Sequence, residues 1–172
     1  MNWIVAALAV FTAVDVPQRI RQLRAVPPRE RVVVAAGLVA AALALAAVAT
    51  PLLDGLDISG PNLEIGAGVV LALYSVLAIA RWDDTAPPPS VAGGVAPLLF
   101  PIVLTPAVGV VVLAVSARNG LLVPVIAAVV AAVLIAWSGA DNAIGRRPLR
   151  MLSGAIGVVV GIAMVVDGAF AV

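Results

Sequence analysis

The sequence predicts an all-α integral membrane protein, with six transmembrane helices arranged as two inverted-topology repeats of three. Three observations carry this. Of the 172 residues, 63 % are hydrophobic and only 11 % are charged, and the mean hydropathy is +1.19; a soluble domain is about 45–50 % apolar. The length allows about six crossings at roughly 20 residues each, with loops. An internal match also runs along the chain at a fixed offset of 89 residues, without a gap.

The match is anchored on FPIVLTPAVGVVVL, Phe100 to Leu113. Phe100 falls on Phe11, Val103 on Val14 and Pro106 on Pro17. Further on, Arg118 falls on Arg29, and Leu152, Gly157, Val158 and Val159 fall on Leu63, Gly68, Val69 and Val70. Between them the apolar runs Val32–Ala49 and Leu121–Ser138 face each other. Small and Val-rich segments match easily by chance, so the paired prolines and the common register carry the duplication. The repeats cover residues 1–82 and 96–172 of one membrane domain, joined by a linker at 83–95 within DDTAPPPSVAGG.

The first segment runs from Asn2 into VFTAVDVPQRI. It lacks a basic leader and a small-residue cleavage site, so it reads as an uncleaved helix. A basic loop follows, with Arg19, Arg21, Arg24, Arg29 and Arg31 around Pro27-Pro28. The second segment is roughly Arg31–Leu53, then the turn-rich DGLDISGPN with Asp54 and Asp57. The third, about Leu63–Ile79, ends at Arg81-Trp82. The fourth contains Thr105-Pro106; the fifth follows Arg118-Asn119-Gly120 and ends near Trp137. The sixth, roughly Leu149–Phe170, follows a loop with Arg146, Arg147 and Arg150.

Six crossings place the loops after segments one, three and five on one side, where nine of the ten basic residues lie; Arg118 alone is opposite. Positive charge marks the cytoplasmic side, so both termini face outward. Trp3, Trp82 and Trp137 fall near segment ends, as interfacial aromatics do. All ten basic residues are Arg, and with the Ala, Val, Gly and Pro richness this reads as a GC-rich bacterial genome and an inner-membrane location. The absence of Cys and His excludes disulfides, thiol catalysis and most transition-metal sites. No cofactor or metal is implied, and the net charge of +1 gives no sign of a nucleic-acid partner.

Proline removes a backbone donor and clashes with the carbonyl four residues earlier, so helices through Pro17 and Pro106 are expected to kink or break. Thr105 then reads as an N-cap with Pro106 as the first helical residue. Breaks at membrane depth point amides and a dipole at whatever occupies the gap, and paired breaks in inverted repeats are an arrangement of secondary transporters. The bland alternative is that proline is simply commoner in membrane helices. Its recurrence at equivalent positions favours a functional interface formed by Val16, Pro17, Thr105, Pro106 and Ala107.

Asp15 lies about 20 Å along the first segment. A buried acid there is a candidate for proton or cation coupling. The alternative is a salt bridge to Arg19, four residues on and on the same helix face. Glu64, at the outer start of segment three, and Asp167, near the outer end of segment six, read as solvated. No acids pair at helical spacing, so no catalytic or metal cluster is visible. Gly157 and Gly161 make a GxxxG face extended by Gly154, and Gly66, Gly68 and Ala72 lie in the matching part of segment three. These positions predict close packing of segments three and six, with homo-oligomerisation through the same face as the alternative.

The chain resembles the MarC family of multi-pass membrane proteins, in the LysE superfamily, which includes a small neutral amino-acid transporter. Val16-Pro17-Gln18-Arg19 stands where that family has Asn-Pro-x-Gly. Pro101 to Leu104 followed by Thr105-Pro106-Ala107 matches its Pro-x-x-x-Gly-Pro-Gly, and Glu64-Ile65-Gly66-Ala67-Gly68 its Arg-Ile-Ala-Gly-Gly. Both prolines and the helix-three glycine are kept; the Asn, the glycines beside the prolines and the Arg are not. The resemblance implies a secondary transporter or exporter of a small polar solute, with small neutral amino acids as the implied class. In that reading Thr105 and the amides after Pro106 bind an anionic group, while Asp15 titrates or pairs with Arg19. A non-transporting membrane module assembling through its glycine faces is the competing class. No nucleophile–base pair points to an enzyme.

Overall fold

A computed structural model describes residues 1–23, 26–80, 104–137 and 147–172. The described residues form seven helices and no strands: α1 (Trp3–Val14), α2 (Val16–Gln22), α3 (Pro28–Leu56), α4 (Gly60–Ala80), α5 (Pro106–Asn119), α6 (Leu122–Trp137) and α7 (Arg147–Ala169). Counting α1–α2 as one bent rod gives six. Trp3–Gln22, α3, α4 and Pro148–Ala169 are long and apolar enough to cross a membrane; α5 and α6 are shorter apolar helices. The predicted linker at 83–95, and the positions Phe100–Val103, lie outside the described residues.

Local chemistry sets the ends. Asn2 caps α1 by accepting from the Ile4 amide at 3.1 Å. Thr105 caps α5 through its hydroxyl, which accepts from the Val108 amide at 3.3 Å, and Pro106 opens that helix as expected. Asp57 closes α3 in the left-handed conformation (φ 54°), and Gly120 (φ 78°) closes α5 ahead of a turn into α6.

The break in the first rod falls at Asp15, two residues before Pro17. Asp15 is left-handed (φ 50°), and its amide donates to the Thr12 carbonyl at 3.1 Å. Helix α2 restarts with Val16 first and Pro17 second. Pro17 has no N–H to offer the Ala13 carbonyl, so the ladder of α1 cannot run through. Asp is among the few non-glycine residues that tolerate the left-handed region.

Apolar side chains lie on the outside of the bundle as well as inside it. The buried faces of α1 and α5 are rich in Ala and Val, including Ala6, Ala9, Val10, Ala13, Val108, Val111, Val112 and Val115. The outer faces of α3, α4, α6 and α7 expose Leu43, Leu73, Leu77, Ile126, Val130, Val159 and Ile162. So much outward apolar surface is compatible with membrane embedding. Helix α1 packs on α5, α6 and α7, and α5 packs on α3 and α4 as well. The most extensive interface is α4 on α7.

That interface is antiparallel and built on small residues. A Cβ at Gly68 would stand 2.5 Å from the Gly161 carbonyl, and one at Gly161 would stand 2.8 Å from the Ala72 amide. Gly154 meets Ile79 and Ser75; Gly157 meets Ser75 and Thr12. Gly168, which sequence reading passed over, sits against Pro61 and Ile65. The glycine face is therefore consumed within the chain. Gly66 does not share it: it is exposed, with nothing near its missing Cβ. Two residues of an α-helix span about 200°, so Gly66 cannot face the way Gly68 does.

Two alanine substitutions on α4 separate these roles. Gly68→Ala forces a methyl onto backbone and is expected to lower stability by about 1–3 kcal/mol. Gly66→Ala meets open space and is expected to be neutral or slightly stabilising. Denaturation midpoints of the two variants in detergent check this; equal midpoints would mean the α4–α7 contact is not as close as described.

Candidate functional site

The break at Asp15 creates a backbone problem that a side chain solves. In a continuous helix the Val14 carbonyl would accept from the Gln18 amide. Here the amides of Gln18 and Arg19 both turn to the Asp15 carbonyl, at 3.0 and 3.1 Å. The freed Val14 carbonyl accepts from Arg19 Nε at 3.2 Å. A buried carbonyl without a partner costs about 1–3 kcal/mol, so the break draws the Arg19 side chain inward.

Once turned in, the guanidinium organises its surroundings. One terminal nitrogen donates to Gln22 Oε1 at 2.8 Å and the other to the Tyr74 hydroxyl at 2.8 Å. The Thr105 side chain is within hydrogen-bonding reach of that same hydroxyl. Tyr74, on α4, thus bonds to a residue of α2 just past the first break and lies near the residue that caps α5. Arg19 is only 3 % exposed, so its charge is held where these bonds are strong.

The Asp15–Arg19 salt bridge, the alternative to a coupling role for Asp15, is not among the ion pairs of the described residues. The left-handed turn takes the two side chains off a shared helix face, and the fork of Arg19 is committed elsewhere. Asp15 is 4 % exposed, and its Oδ2 has no hydrogen-bond partner. It lies in the field of Arg19 and of Arg150, from the first turn of α7; Arg150 also acts on Tyr74. The site therefore combines an acceptor oxygen with two cations and two hydroxyls.

The remaining predicted residues sit around it in different ways. Val16 and Pro17 form the buried first turn of α2, and Ala107 is buried in the core. Pro106 is exposed and, with Thr105, Leu104 and Gly109, lines an open groove of about 380 Å³ against Ala41, Ala44 and Leu45 of α3. The lining is almost wholly apolar. Sequence reading missed Tyr74, Gln22 and Arg150. Tyr74 had a signal, being the chain's one tyrosine, placed inside an otherwise apolar helix.

A second polar group closes the other end of the bundle. Glu64 was expected to be solvated, yet it is fully buried and pairs with Arg118 at 2.7 Å. The reason is packing: the first turns of α4 lie against the last turn of α5. Nearby, the Met1 amino group is 3.7 Å from Asp167, whose side chain is partly exposed, and Asn119 donates to the Met1 carbonyl at 3.2 Å. Glu64 and Tyr74 are about 15 Å apart along α4.

Comparison of the chain with protein-family models, with curated proteins and with solved structures finds no match.

The Arg19–Tyr74 link can be weighed on its own. A double-mutant cycle with Arg19→Met and Tyr74→Phe is expected to give a coupling of about 1–3 kcal/mol. Chemical denaturation of the four proteins in one detergent measures it. Additive effects would show that the bond contributes nothing to the fold.

Proposed function

We propose that this chain is a secondary carrier for a small solute bearing both charges, such as a small neutral amino acid, working by alternating access between two inverted repeats. The observation that carries the reading is the meeting of the two chain segments at Tyr74: Arg19 bonds to it from one, and Thr105 lies near it from the other. In this reading a solute carboxylate displaces Gln22 or Tyr74 from Arg19, and the orphan oxygen of Asp15 takes an ammonium group. Neutral amino acids as the class come from the MarC resemblance, which rests on Val16–Arg19, Pro101–Ala107 and Glu64–Gly68.

The helix packing supports the inverted repeats. Two helices of the first half touch their offset partners: α3 meets α6 and α4 meets α7. Ala72 and Gly161, which the 89-residue offset equates, touch each other, as residues on a two-fold axis must. In this reading the protein lies in a bacterial inner membrane with both termini outside, and the Arg19 site opens toward the cytoplasm. A non-transporting membrane module is the second reading, favoured by the apolar lining of the groove at Thr105.

Counterflow of labelled alanine and glycine in proteoliposomes tests the proposal. Saturable counterflow is expected in the wild type, reduced about tenfold or more, or about 1.4 kcal/mol of binding, by Asp15→Asn and by Tyr74→Phe. Uptake no greater than in empty liposomes would remove these solutes and leave the membrane-module reading.

A further inference from the structure

A carboxylate engaged by the solute is not free to carry a coupling proton, which leaves Glu64 to be accounted for. It is fully buried in the second turn of α4. Its Oε2 accepts from Arg118 at 2.7 Å, while Oε1 has no partner. A carboxylate taken out of water and bonded through only one oxygen is a costly arrangement. The charged groups facing it come from each helix packed on α4: Arg118 from α5, the Met1 amino group ahead of α1, and Asp167 from α7. Arg118 is 28 % exposed and Asp167 45 %, so the cation can swing toward water and the second acid on its flexible stem. Glu64 has no such route.

We propose that Glu64 is the proton-binding group of the carrier, and that its protonation releases Arg118 and parts α4 from α5 at the end of the bundle opposite Arg19. The proton comes from the aqueous phase at that end and binds Oε1; the carboxylate becomes neutral and Arg118 turns to Asp167 or to water. The inference rests on the carrier reading for its role in transport, but the proton site itself can be observed without any solute.

Two measurements test it. In proteoliposomes without solute, infrared difference spectra between acidic and alkaline pH are expected to show a carboxylic C=O band that vanishes in Glu64→Gln and shifts in Glu64→Asp. A spectrum unchanged by both variants overturns the proposal whatever the protein transports. With labelled alanine, Glu64→Gln is expected to keep counterflow while losing accumulation driven by an imposed pH gradient. Loss of both modes in a monodisperse variant assigns Glu64 a structural role, and retention of both removes it from coupling; either overturns the proposal. Absence of counterflow in the wild type overturns the carrier reading and the transport role with it, and the infrared result then stands for the proton site alone.

Discussion

An interrupted helix in an apolar interior has to satisfy the carbonyls it frees, and much of this molecule follows from how it does so. At Asp15 the ladder stops and the Val14 carbonyl loses its usual donor. Water is the ordinary remedy at a protein surface, but this break is buried among packed Ala and Val side chains. Arg19 supplies the donor instead, bringing a cation into the bundle that must itself be satisfied. Gln22 and Tyr74 answer that second demand. The opening of α5 is met more simply, by a threonine hydroxyl on the Val108 amide.

Side-chain size governs the other half of the architecture. Lipid offers helices no hydrophobic incentive to associate, so close contact must come from backbone approach. Helices α4 and α7 achieve it through Gly68, Gly154, Gly157, Gly161 and Gly168, each of which would push a Cβ into its neighbour. This leaves Ser75 and Thr12 buried beside Gly157. The Thr12 hydroxyl finds the Leu8 carbonyl at 2.7 Å, a bond within its own helix.

Much of this was written in the chain. Hydropathy and the offset prolines located the helices to within a few residues, because both are local properties of backbone and side chain. Thr105 was readable as a cap, since capping needs only its immediate neighbours. The break at Asp15 was displaced from the proline that causes it because the chain turns where the left-handed conformation is tolerated. Contacts between helices were less legible. The pairing of Glu64 with Arg118 joins residues 54 positions apart, and no periodicity reports it. Gly66 and Gly68 look alike in sequence and are told apart only by the face of α4 each occupies. Tyr74 marked itself by rarity, but its partners come from α2 and the start of α5.

The disparity between neighbouring rods has a consequence for the surrounding solvent. Helix α3 has 29 residues and α5 has 14, which at 1.5 Å per residue is about 43 Å against about 21 Å. They pack side by side. A hydrocarbon layer of about 30 Å is shorter than α3 standing upright. In a bilayer α3 must tilt or protrude, or the layer beside it must thicken. Such mismatch costs a fraction of a kcal/mol per ångström. In a bilayer, thickness would therefore act on this protein as a mechanical variable, pressing most strongly on the ends of α3.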